Sequence, residues 1–176
     1  FFCLLNELLI SNFNLQYVAQ YTSYETPTFY KVTALWAGQA GSLLFWSFIT
    51  SLFTVIYIFE TLKKMENLKF NSYLILTFIF SFFIILSSFI ANPFEPVSSD
   101  IVVQNGNGLN PLLQNFFMAI HPPILYVGFT GCTIIFVMAM AASISKNVSF
   151  DWVRSIRRWS LIVWTFLSAG IILGGY

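Results

Sequence analysis

Four stretches of this chain, residues 32–59, 70–94, 101–145 and 159–176, contain no Asp, Glu, Lys or Arg. A helix needs about 20 mostly apolar residues to cross a bilayer, and each charge at mid-membrane costs roughly 2.5–3.5 kcal/mol on insertion scales. Such runs are what lipid demands. Composition agrees: 57% of the 176 residues are hydrophobic and 9% charged, against roughly 25% charged in soluble domains. A soluble core of this size has no polar skin to cover it, and a disordered chain would be far less apolar. With a net charge of +1 there is no basic footprint for nucleic acid. Cys3 and Cys132 lie in separate apolar segments, so neither a disulfide framework nor a metal pair follows.

The expected fold is all-α: a polytopic membrane helix bundle forming a single membrane domain over residues 1–176. Full spans are predicted at 42–59, 73–91, 122–143 and 159–175, with 1–10 as part of a fifth. The chain opens on Phe1 rather than Met, pointing to a start further upstream, and shows no cleavable signal pattern. Lys63, Lys64 and Lys69 fall in one connection, and Lys146, Arg154, Arg157 and Arg158 in another. The positive-inside rule places these loops, 60–72 and 144–158, on the inner side. Loops 11–41 and 92–121 then face out, as does Tyr176. Trp46, Trp152, Trp159 and Tyr73 suit interfacial belts, though an aromatic-rich chain would place some there anyway. Gly128 and Gly131, and on the last span Ser168, Gly170 and Gly174, form small-residue faces that let helix backbones approach.

Most polar chemistry lies in the outer segments. Asn92-Pro93 breaks the third span, and Gly106 and Gly108 mark a turn. Asn110-Pro111 reads as a helix start, with Asn as cap and Pro at the first position. Residues 112, 113, 116, 117 and 120 form one apolar face of a short interfacial helix. That helix leads to His121-Pro122-Pro123, which contains the one histidine of the chain. A residue before proline is disfavoured in the helical region, so His121 is expected at the cap of the fourth span. A neutral imidazole there can serve as an axial haem ligand or merely cap a helix. Trp36 and Gly41 bound a turn that suits close approach of a backbone or a flat ligand. No catalytic set is visible: one histidine cannot build a Ser/His/Asp arrangement, and there is no phosphate loop. Nor is there a buried acid of the kind proton pumps use. Glu7 lies near the outer end of its segment, and Glu60 is expected to snorkel at the inner surface.

Asn92-Pro93-Phe94, Leu109-Asn110-Pro111-Leu112-Leu113-Gln114 and His121-Pro122-Pro123-Ile124-Leu125-Tyr126 resemble the CcmF-type haem-handling membrane family of cytochrome c maturation. Tyr17-Val18-Ala19, Trp36 with Gly41-Ser42, and residues 159–174 also resemble family segments, in the same order. The resemblance implies that His121 is an outer axial ligand to haem iron. It implies a haem-pocket wall made by Trp36, Gly41, Asn110, Gln114, Pro122 and Tyr126. It also implies partners: a haem chaperone, apocytochrome c, and membrane chains carrying the tryptophan-rich WWD segment and further histidines. Those features would lie beyond Tyr176, and Gln39-Ala40 stands where family members tend to carry His-Glu.

Two functional readings follow. One is a subunit of a split haem lyase that shares its haem with a partner chain. The other is a non-catalytic membrane subunit of a larger respiratory-type complex, derived from the same scaffold. A transporter is a distant third, lacking broken repeats or intramembrane charge. The 21 phenylalanines, with many Ile, Asn and Tyr, suit an AT-rich organellar gene and hence the mitochondrial inner membrane, with the bacterial plasma membrane as alternative.

Overall fold

The computed structural model describes residues 1–100 and 102–175, with Glu60 described by its backbone alone. Tyr176 and the Glu60 side chain, for which outer and inner positions were expected, lie outside the described residues. Seven α-helices follow in order among the described residues: α1 Phe2–Ile10, α2 Gln16–Tyr21, α3 Thr28–Thr33, α4 Gln39–Ile56, α5 Lys69–Ile85, α6 Phe116–Ser145 and α7 Phe150–Leu173. Among the described residues there is no strand, only a single antiparallel bridge between Leu15 and Pro96. Four helical stretches among the described residues are long and apolar enough to cross a membrane: Gln39–Lys64, Glu66–Ile90, Phe116–Ser145 and Phe150–Leu173. The chain is a multi-pass membrane protein, all-α as expected, and Phe2–Ile10 supplies the additional short helix.

Element ends depart from the sequence expectation for local reasons. The first two spans are extended by π-helical turns at Tyr57–Thr61 and Leu86–Ile90. α7 begins at Phe150, where Ser149 Oγ accepts the Trp152 N–H at 3.2 Å and Asp151 sits in the first turn. Arg154, Arg157 and Arg158 are therefore helical, and the connection between α6 and α7 narrows to residues 146–149. Charge limits insertion into lipid but not helix formation, and arginine is a good helix former.

The chain packs into two compact units, residues 1–45 with 83–120 and residues 46–82 with 121–176. In the first, Leu4, Leu8, Val18, Ala34 and Leu35 are fully buried. Residues 95–97 and 105–108 are pinned along residues 14–25. Gln16 N–H donates to Glu95 O (2.9 Å), Val97 N–H to Asn14 O (2.8 Å) and Asn107 N–H to Ala19 O (2.8 Å). Gly108 has φ +76°, a backbone state open to glycine at little cost, and this completes the turn foreseen at Gly106 and Gly108. Asn105 donates to the Glu25 carboxylate at 2.9 Å, and this bond holds that carboxyl below the usual range.

The second unit centres on Tyr57, Leu62, Ile134, Val137, Met138 and Ala141. Its α6 and α7 run antiparallel and interlock. Side-chain atoms stand where a Cβ would project from each glycine: Leu167 at Gly128, Val163 at Gly131, Leu125 at Gly170 and His121 at Gly174. In a membrane, where apolar burial gives little drive between helices, close packing of this kind holds them together.

Candidate functional site

The approach to His121 is built by two successive starts. Asn110 Oδ1 accepts the Leu112 N–H at 3.0 Å and caps a 3-10 turn, Pro111–Leu113, so the expected Asn-Pro start is present. The turn does not continue as the expected short interfacial helix. Gln114 Nε2 donates to Leu109 O (2.8 Å), and Tyr30 Oη donates to Gln114 O (3.0 Å). Asn115 Oδ1 then accepts the Phe117 N–H at 2.9 Å, and α6 begins at Phe116.

His121 therefore lies inside α6 rather than at its cap, and Pro122 and Pro123 are also helical. Their missing N–H groups deprive the carbonyls of Met118 and Ala119 of the usual i→i−4 donors. Ala119 O instead accepts from Trp36 Nε1 at 3.2 Å. A replacement donor of this kind is how membrane helices tolerate proline.

His121 is half-buried, and its Nδ1 lies 2.7 Å from Gly170 O on α7. A carbonyl can only accept, so Nδ1 carries a proton, and in the neutral ring Nε2 holds the lone pair. Gly170 O also receives the Gly174 N–H at 3.0 Å, which uses both of its lone pairs. Among the described residues Nε2 makes no hydrogen bond, and no group of three His, Cys, Asp or Glu could hold a metal ion. The arrangement offers one neutral nitrogen donor. That fits one axial position of a haem iron whose other ligand comes from elsewhere, and does not fit a free-standing metal site. Tyr126, a little over one turn beyond His121, packs against Trp46 with ring centroids 5.7 Å apart.

The glycine turn is occupied by protein. Tyr17 Oη donates to the Ala34 and Leu35 carbonyls (2.9 and 3.1 Å) and accepts the Gly38 N–H at 3.1 Å. The Tyr17 hydroxyl and Leu35 O stand where a Gly41 side chain would project. Trp36 packs against Phe45 with ring centroids 5.3 Å apart and the planes tilted by 31°. Gln39 and Ala40 line a cavity of about 230 Å³ with Gln16, Gln20, Asn92 and Glu95, smaller than the ~300–1,000 Å³ of usual ligand pockets. Of the predicted residues, the Trp36 indole, Asn110 and Gln114 hold the entry to α6, and Gly41 lies in the first turn of α4. Sequence reasoning missed the Gly170 carbonyl as the partner of His121. Gly170 and Gly174 were legible as a packing face, but a backbone acceptor has no residue signature.

Residues 36–176 match the family model described as cytochrome C assembly protein. The chain belongs to the cytochrome c assembly family. Similar proteins include the cytochrome c-type biogenesis proteins NrfE of Haemophilus influenzae (36% identical, 95% of this chain, 26% of the relative) and CycK of Rhizobium meliloti (37%, 94%, 24%). CcmF of Escherichia coli is 31% identical over 99% of this chain and 27% of its own length. The solved structure of Cytochrome c Heme Lyase CcmF superposes with a TM-score of 0.73 at 28% identity, covering 96% of this chain and 26% of that one. The chain thus spans about a quarter of the length of these cytochrome c assembly relatives.

Proposed function

We propose that this chain is a subunit of a split membrane haem lyase in cytochrome c maturation, and that it holds haem on the outer membrane face through His121. Membership of the cytochrome c assembly family supports the setting. The observation that carries the ligand role is the Nδ1–H···O contact from His121 to Gly170, 2.7 Å long, which leaves Nε2 as a single oriented donor. Metal-binding histidines characteristically give their other ring N–H to a carbonyl or carboxylate in this way. His121 supplies one axial ligand, and a partner chain with further histidines and the WWD segment supplies the second and covers the haem face. Haem bound there brings the vinyl groups to which the thiols of apocytochrome c add, while the protein orients the reactants. A haem chaperone is the proposed source. The proposed location is the mitochondrial inner membrane; bacterial relatives also support the corresponding plasma membrane.

The test is His121→Ala in the assembled complex. Loss of the outer-haem absorbance bands is expected, and an unchanged haem spectrum overturns the ligand role. Two observations favour a non-catalytic packing subunit: Tyr17 fills the space at Gly41, and the Trp36 indole is engaged by Ala119. Under that reading the complex keeps its haem content and maturation activity when His121 is replaced, and loses only assembly when Tyr17 is.

A further inference from the structure

Four side-chain-into-glycine contacts run along the seam of α6 and α7, and three of them place an aliphatic side chain against the glycine: Gly131 with Val163, Gly128 with Leu167, and Gly170 with Leu125. The fourth sets an imidazole against Gly174. A Cβ added at Gly174 would stand 2.5 Å from Cε1, 2.7 Å from Nδ1 and 3.2 Å from Nε2 of His121. All three lie inside ordinary contact distance, so the ring occupies the position with no room for a side chain. One turn earlier on the same face, Gly170 O receives Nδ1–H at 2.7 Å. Because Gly170 also lacks a side chain, Leu125 closes against its Cα with Cδ2 and Cγ each 2.7 Å from where a Cβ would be. That contact holds the two helices close enough for the bond. The ring is therefore constrained twice, by a flat seat at Gly174 and by an acceptor at Gly170.

We propose that Gly170 and Gly174 are positioning residues for His121: together they fix the Nδ1–H tautomer and the ring plane, so that Nε2 alone is available as a metal donor. The proposal rests on the haem-ligand reading for its purpose, but the tautomer lock itself is a property of this chain and is measurable without haem. A bond from Nδ1–H to a carbonyl fixes the tautomer and the ring orientation, and a ring already in place needs no ordering when it binds.

A single histidine makes the test direct, because labelling with 15N-histidine reports His121 and nothing else. The full chain, purified in detergent through a tag without histidine and held near pH 8, is expected to show one protonated nitrogen and one unprotonated nitrogen assigned to Nδ1 and Nε2 respectively. Averaged ring signals, or protonation at Nε2, overturn the proposal from the wild-type chain alone, even where a variant fails to fold. Gly174→Ala is expected to release the ring and give averaged signals. Gly128→Ala introduces a comparable clash in the same helix pair, with Leu167 Cδ2 2.6 Å and Leu167 N 3.0 Å from the new Cβ, and is expected to leave the tautomer intact. Retention of the lock in Gly174→Ala, or its loss in Gly128→Ala, counts against a dedicated seat. In the assembled complex Gly174→Ala is expected to weaken haem retention by about 10–100-fold, the range found for losing a partner of a metal-bound histidine. If His121→Ala leaves the haem spectrum unchanged while the tautomer is as described, the ligand reading fails and the positioning geometry stands. If His121→Ala removes the haem bands while the wild-type ring is averaged, the reverse holds.

Discussion

At the scale of single residues, Trp36 has the clearest structural task. It satisfies the Ala119 carbonyl that Pro123 leaves without its helical donor. Trp36→Phe keeps a ring to pack on Phe45 but strands that carbonyl. An unsatisfied buried acceptor costs about 1–3 kcal/mol, so the variant should unfold at lower temperature in detergent, as followed by circular dichroism. Stability equal to wild type would show that the bond contributes nothing. Asn110 and Trp36 also show what was readable beforehand. Asn-Pro as a turn start follows from a rule confined to three residues, and Asn110 does accept from Leu112 N–H. The partner of Trp36 depends on a carbonyl 83 positions away in sequence, and nothing in the intervening letters marks it. His121 was expected at a helix cap because a residue before proline resists the helical state. Capping at Asn115 and the outside donor to Ala119 overrode that preference.

At the scale of elements, α6 and α7 depend on fitting side chains into glycine gaps. The contact at Gly131 is confined almost wholly to Val163, whose Cγ2 stands in the space a Cβ would need while its Cβ is 3.7 Å away. Gly131→Ala is therefore expected to destabilise by about 1–3 kcal/mol through overpacking. Adding Val163→Ala should recover most of the loss, because it removes the obstructing methyl. Thermal unfolding of the two single variants and the double variant measures this. A double variant no better than the sum of its parts would place the strain elsewhere. The pairing of these helices through small residues was legible in the positions of Gly128, Gly131, Gly170 and Gly174. Helix boundaries were less so: charge marks where lipid ends, whereas α7 continues past it through Arg154, Arg157 and Arg158 to its Ser149 cap.

At the scale of the whole molecule, the distribution of Lys and Arg predicts a topology that can be tested directly. With Cys3 and Cys132 replaced by serine, Asn107→Cys is expected to react with an impermeant maleimide from the outer side of sealed vesicles. Lys64→Cys should react only when the reagent reaches the inner side. Labelling of both from one side would refute the assignment. The fold class and the family were legible because lipid imposes long charge-free runs, and because the Leu109–Gln114 and His121–Tyr126 motifs carry the resemblance. The division into two compact units was not, since each is assembled from segments far apart in sequence.

The antiparallel interlock of α6 and α7 restricts how the pair can move. Sliding α7 by one turn in one direction would bring Phe166 to the level of Leu125 in place of Gly170; in the other it would carry the Gly170 carbonyl away from His121. Both routes are obstructed or break the bond, so the pair resists shear and yields by separation. Opening the seam would break the Nδ1–H bond to Gly170 and unseat the ring from Gly174 in a single motion, so that separation of the helices and loss of the donor's orientation are one event.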